Sequence, residues 1–182
     1  MRVLSLYGCP RFYLGLENLS TLIYDDPVLI EDILEWQMYM GLEMLKKVFA
    51  AGIRLDRADI FEDMCYKHGS LVSPDFVKKS MVPRYKKVVE LVRNHGIDIV
   101  YLDSDGNIEE LLPIWLDCGI NMFYPFEVAS GMDGIAIRKK YGKNVIMRGC
   151  IDKRALAKGK ADIDAGLEKA KFLLASGGCF PG

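Results

Sequence analysis

Reactive side chains recur along this chain at one kind of place, directly after short apolar runs. Glu62-Asp63 follow Ile53 to Phe61, with Tyr66 and His68 close behind. Asp103, Asp105 and Asn107 follow Ile97 to Leu102, and Glu127 follows Ile120 to Tyr124. Arg148, Cys150 and Asp152 close the run that begins at Val145, and Cys179 lies in the last one. Carboxylates gathered at one place raise one another's proton affinity, which suits general acid–base work. They also suit a hard cation. Asp63, Asp103, Asp105 and Glu127 are therefore the catalytic candidates. Glu62, Tyr66, His68, Asn107 and Arg148 are candidates for substrate contact, Arg148 through an anionic substrate group or a neighbouring carboxylate.

Competing readings apply to each group. Asp103 and Asp105 also suit a turn ahead of Asn107, because Asp and Asn bond their own backbone readily. The Asp-x-Asp-x-Asn run is not an EF-hand, since Ile108 stands where that loop requires glycine. Cys65, His68, Cys150 and Cys179 form a possible soft ligand set for zinc, Cys65 and His68 as a C-x-x-H. No C-x-x-C accompanies them, and a lone cysteine is commonly a small core residue. His95 suits the end of a helix, where it meets the dipole. Met38, Met40 and Met44 read as core filling. No Ser-His-Asp or Cys-His arrangement can be assembled.

The elements between these groups share one grammar. Asp26 caps a helix with Pro27 at its first position, and Leu29, Ile30, Ile33, Leu34, Met38, Leu42, Leu45 and Phe49 follow at helical spacing. Gly52 ends it. Ser73-Pro74-Asp75 starts a second helix that closes at His95-Gly96; Asn107 starts a third that closes at Gly119. Asp133 starts a fourth that closes at Gly142, and a fifth runs from Asp162 to Leu174. The apolar runs between them are strands, four with the start of a fifth at Gly177-Gly178-Cys179-Phe180. Strand and helix in alternation imply a parallel sheet with right-handed crossovers. A doubly wound open sheet and part of a closed barrel both fit. G-x-G-x-x-G and G-x-x-x-x-G-K-[ST] are absent, which weakens the nucleotide-binding versions of the open sheet. Function would collect at the carboxyl ends of the strands in either case. The expected fold is α/β, a partial (β/α)8 TIM-type barrel of about four to five βα units in one domain over 1–182. A full barrel takes roughly 250 residues, so about half is expected here. Its open edges predict a fragment or a homodimer.

The 182 residues are 51% hydrophobic and 27% charged, with a net charge of −1. That is a globular composition. It lacks the basic excess that phosphate neutralisation needs, so no nucleic-acid partner is expected. No apolar stretch reaches the length of a membrane span. The five cysteines are scattered and odd in number. They read as reduced thiols of a cytoplasmic protein.

Several stretches, taken in order, resemble the uroporphyrinogen decarboxylase superfamily, which includes corrinoid-dependent methyltransferases. They are Gly15-Leu16-Glu17-Asn18, Tyr24-Asp25-Asp26-Pro27, Glu62-Asp63-Met64, Leu71-Val72-Ser73-Pro74, Pro83-Arg84-Tyr85, Ser104-Asp105-Gly106-Asn107, Gly131-Met132-Asp133 and Gly149-Cys150-Ile151-Asp152-Lys153-Arg154. The resemblance implies a TIM-type barrel whose first strands precede Met1 and whose last helix follows Gly182. It implies methyl transfer between a corrinoid protein and a thiol or similar acceptor, with decarboxylation of uroporphyrinogen as the alternative. A catalytically inert half barrel that only associates is the third reading. The zinc-dependent methyltransferase branch has His-x-Cys-Gly where this chain has Asp103-Ser104-Asp105-Gly106, so two of its ligands are carboxylates here. Its third cysteine is matched by Cys179, displaced by one. The arginines and aspartate that hold a porphyrinogen in the decarboxylase branch come from a region this sequence does not include. Glu62-Asp63-Met64 and Pro125-Phe126-Glu127 look nearer to the methyltransferases.

Overall fold

Strand β1 (Arg2–Leu4) leads into helices α1 (Gly8–Leu14), α2 (Leu16–Asp25) and α3 (Pro27–Ala50) in a computed structural model that describes residues 1–181. Strand β2 (Ala58–Phe61) and the two-strand hairpin β3 (Cys65–Tyr66) and β4 (Gly69–Ser70) follow. Next come α4 (Pro74–Phe76), a π-helical turn over Val77–Met81, and α5 (Val82–Asn94). Then β5 (Val100–Asp103), α6 (Leu112–Asp117), β6 (Met122–Phe126), α7 (Gly134–Tyr141), β7 (Ile146–Gly149), α8 (Lys160–Ser176) and β8 (Cys179–Pro181) alternate.

The capping residues act as their chemistry dictates. The Asp26 carboxylate accepts the Leu29 amide at 3.0 Å. Asp133 accepts the amides of Ile135 and Ala136. Ser73 accepts that of Asp75. Each occupies an N-cap, where the first amides of a helix lack partners. Asn107 accepts the Glu109 amide, but the regular helix starts only at Leu112. The apolar run from Ile53 is shorter as a strand than its sequence suggests: Ile53 is exposed and pairing begins at Ala58.

Six strands form one parallel sheet in the order β1-β2-β5-β6-β7-β8. Five βα units precede the last strand. The sequence reading missed β1, because three residues are too few for a periodic signal. Ala58, Ile60, Val100, Leu102, Phe123 and Met147 are buried in the main core with the helices. Of the residues that alternate with them, Asp59, Phe61, Asp103, Tyr124 and Arg148 are only partly buried, and Tyr101 and Met122 are buried but lie outside that core. Successive strand residues point to opposite faces. One face therefore carries the helices and the other does not, which removes the doubly wound alternative. β1 and β8 are the open edges of the sheet.

Among the described residues no helix is long and apolar enough to cross a membrane. All five cysteines are unpaired thiols. Met38 is buried, whereas Met40 and Met44 are exposed. The latter two are therefore not core filling: a helix with one buried face turns part of any i, i+4 methionine series outward.

Candidate active site at the strand ends

The loops after β2, β5 and β6 are laced together, and this brings the acidic residues into one place. The backbone amides of Glu62 and Asp63 both donate to the Asp103 carbonyl, at 2.9 and 3.1 Å. The Met64 amide donates to the Ser104 hydroxyl at 3.1 Å. The β3–β4 hairpin then folds across the β5 loop, with the Asn107 amide bonded to the Tyr66 carbonyl at 2.9 Å. Gly106 makes that approach possible: a Cβ there would lie 2.7 Å from the Tyr66 backbone nitrogen and oxygen, and its φ is +86°.

The result is a cup of about 670 Å3 lined by Arg11, Asp63, Tyr66, Asp105, Glu127 and Ser130, among others. Three of the four catalytic candidates meet there. Asp63 is anchored: one carboxylate oxygen pairs with Arg11, whose guanidinium also donates to the Asp63 carbonyl at 2.7 Å. The other oxygen accepts the Asp105 amide at 3.3 Å. Asp63 adopts φ +44°, a conformation that Asp tolerates better than most residues. Glu127 is anchored too. It pairs with Lys153 at 2.7 Å and accepts the Ser130 hydroxyl at 2.8 Å and the Gly106 amide at 3.3 Å. Lys153 and Ser130 hold its carboxyl below the ordinary value. Among the described residues the Asp105 carboxylate accepts no hydrogen bond. Burial, and then the charges of Asp63 and Glu127, raise its pKa.

Asp103 ends β5 on the helix-free face of the sheet. Burial raises its pKa, reinforced by Asp105 and Asp63. It pairs in register with Tyr124, over whose ring the Arg148 guanidinium lies at 4.6 Å. Arg148 makes no carboxylate pair among the described residues; it rests on an aromatic face instead. Asn107 donates to the Ser130 carbonyl at 3.3 Å and so buttresses the cup wall. Tyr66 is exposed at its mouth. His68 lies exposed in the hairpin turn and does not line the cup.

Glu62 departs most from expectation. It is fully buried and turned away from the cup, with its carboxylate on the amides of Leu6 and Tyr7 at 3.0 and 2.7 Å. Glu62 keeps the buried side of Ala58 and Ile60, and the turn at Asp63, with φ +44°, carries only that second carboxylate to the rim. Burial pushes the Glu62 carboxyl up to about 7.

The soft-ligand set does not assemble either. Cys150 and Cys179 adjoin each other, buried under α7, and a Cβ on Gly134 would sit 2.8 Å from the Cys150 sulfur. Cys65 is buried beside the hydroxyls of Ser104 and Ser70, which offset only part of the burial that pushes its thiol up to about 12. His68 is on the surface. Among the described residues no three histidine, cysteine or carboxylate side chains stand close enough to hold a metal ion. Buried thiols with raised pKa values are poor ligands, since the thiolate is the ligand form.

Two cup residues escaped the sequence reading, Arg11 and Lys153. Arg11 follows β1, so recognising that strand would have placed it at the rim. Lys153 lies just past the Asp152 cap, whose own carboxylate is held by Arg154 at about 2.

No family model matches this sequence, and a comparison with curated proteins returns no match. Among solved structures, a methyltransferase from Methanosarcina mazei superposes with a TM-score of 0.62 at 19% identity over 92% of this chain. The likeness is one of fold, an α/β architecture on a parallel sheet. This chain spans about half of that protein, 48% of its length.

Proposed function

We propose that the chain is a methyltransferase-like domain built on part of a (β/α)8 barrel, with its site in the cup of Asp63, Asp105 and Glu127. The observation that carries this reading is the pairing of one free, proton-hungry carboxylate with two anchored ones. The likeness to the Methanosarcina enzyme and the single-sided helix layer with two open edges support it.

The proposed chemistry moves a methyl group from a donor carried by a corrinoid protein to a thiol or a similar small acceptor. The acceptor's S–H proton passes to the Asp105 carboxylate as its sulfur forms a bond to the methyl carbon. The bond between methyl and donor breaks, and its electrons stay with the donor. An ordinary carboxylate is far below a thiol's pKa of about 8.5, and raising Asp105 narrows that gap. Arg11 and Lys153 hold Asp63 and Glu127 in place beside Asp105 and offset part of the rise that those carboxylates cause. The zinc version of this chemistry does not fit the separated cysteines, and no step here runs through zinc.

The test is transfer from methylcobalamin to a small thiol, followed by the cobalamin absorbance. The expected result is turnover that chelators leave unchanged and Asp105→Asn suppresses. No transfer by the native chain, with or without added divalent metal, refutes the reading. Arg148, free of any carboxylate, favours a second reading: it would receive a substrate carboxylate in uroporphyrinogen decarboxylation. Unchanged carboxylate count after incubation with uroporphyrinogen removes that one. Failure in both assays leaves a half barrel that only associates.

A further inference from the structure

The buried Glu62 carboxylate has neighbours besides the amides of Leu6 and Tyr7. Tyr85 on α5 and Trp115 on α6 are both fully buried. The Tyr85 hydroxyl and the Trp115 indole nitrogen have no hydrogen-bond partner of ordinary geometry. A buried donor left unpaired is costly, so each such group calls for an explanation. Here the two orphans and Glu62 face one another. The Tyr85 hydroxyl stands within reach of the Glu62 carboxylate, and the Trp115 N–H within reach of the Tyr85 oxygen.

The chemistry of the three groups fixes one order. An indole N–H can only donate, so it gives its proton to the Tyr85 oxygen. The Tyr85 O–H is then free to donate to Glu62, whose oxygens keep lone pairs beyond those that take the Leu6 and Tyr7 amides. Other polar groups nearby are already engaged. The Cys118 thiol, which faces Tyr85 from the end of α6, donates to the Ile114 carbonyl at 3.2 Å. The Tyr7 hydroxyl stands by Ser20 of α2. Tyr85 is thus the titratable side chain that meets Glu62 directly, with Cys118 behind it.

We infer that Trp115, Tyr85 and Glu62 form one buried hydrogen-bond chain, and that Tyr85 is a positioning residue for the cup, acting through Glu62. The chain runs from α6 through α5 to the end of β2. The amides of Leu6 and Tyr7 extend it to the turn that launches α1, and α1 carries Arg11 to Asp63. The helix layer behind the sheet thereby sets where the Arg11–Asp63 wall of the cup stands. Without the Tyr85 hydroxyl the carboxylate is one donor short, holds its charge less readily and grips the two amides more weakly. The catalytic meaning of this positioning rests on the cup being the site; the chain itself is tested without turnover.

Nuclear magnetic resonance of the 182-residue chain from about pH 5 to 9 tests it. The chain has two tryptophans, and Trp36→Phe, at an exposed position, identifies the Trp115 indole signal. In the native chain that signal should move with pH at the midpoint of the Glu62 carboxyl, read from carbon-13 labelled glutamate. Tyr85→Phe keeps the ring and removes the hydroxyl. The Glu62 midpoint should then rise by about one pH unit, as loss of a donor to a charged group requires. The Trp115 signal should stop following it, and the Leu6 and Tyr7 amides should exchange roughly tenfold faster. A backbone spectrum otherwise unchanged confirms folding. A role for Tyr85 in packing alone would move neither the midpoint nor the indole response. A Trp115 signal that stays flat across the native Glu62 titration overturns the inference without any variant. So does an unmoved Glu62 midpoint in Tyr85→Phe, or a Trp115 signal that follows it there as before.

Discussion

The Glu62 carboxylate lies 2.7 Å from the backbone amide of Tyr7 and is sealed from solvent. Its second oxygen takes the Leu6 amide, so one side chain ties the end of β2 to the turn after β1. That turn launches α1, and α1 carries Arg11 to Asp63. Glu62 thus positions the cup from behind without touching what enters it.

The tie has a pH signature. The Glu62 carboxyl sits at about 7 when folded, against an ordinary 4.5. The folded state therefore holds this proton more tightly than the unfolded one. Its contribution to stability is whole below pH 4.5 and is lost as pH rises through 7. A shift of that size corresponds to about 3 kcal/mol. Urea unfolding from pH 4.5 to 8 should show this fall, and Glu62→Gln should flatten it. An equally steep fall in the variant would place the titration elsewhere.

Asp105 should be the base of the cup. Asp105→Asn is expected to lower turnover about a hundredfold with little change in melting temperature. The acid limb of the native rate profile should lie above the ordinary aspartate value, since its pKa is raised by burial and by Asp63 and Glu127. Turnover within a few-fold of native in the variant would exclude this role.

Lys153 should act through Glu127. Lys153→Met removes the main cause of the lowered Glu127 pKa, so that carboxyl should titrate at higher pH. Carbon-13 NMR of labelled glutamate side chains reads the shift directly. The expected change is upward, with melting unaffected, because Lys153 is exposed. No movement would mean that Ser130 and Gly106 suffice.

Gly106→Ala should push the hairpin off the β5 loop. The added carbon would meet the Tyr66 backbone at 2.7 Å and would need φ +86°. A stability loss of about 1–3 kcal/mol is expected, together with loss of the cup. Equilibrium unfolding measures the first and activity the second. Native stability in the variant would show that the hairpin can move aside at little cost.

Much of the fold was legible in the sequence because it rests on local rules. Asp26, Ser73 and Asp133 cap helices because a short polar side chain can reach unpaired amides wherever it stands. Gly52, Gly96, Gly119 and Gly142 mark helix ends because they take positive φ without strain. From these alone came the alternation of strand and helix, the parallel sheet and the acidic strand ends.

What the sequence could not decide depends on which way a side chain points and on what folds over it. Glu62 and Asp63 are neighbours of like chemistry, and only the turn after β2, where Asp63 takes φ +44°, sends one into the core and the other to the cup. Arg11 and Asp63 stand 52 residues apart, and only the pairing of β1 with β2 makes them partners. The cysteines looked like one ligand set until the packing of α7 and the hairpin put them in different places. Local capping and periodicity act over a few residues and can be read in order. Convergence at a site is a property of the packed sheet, and no spacing along the chain encodes it.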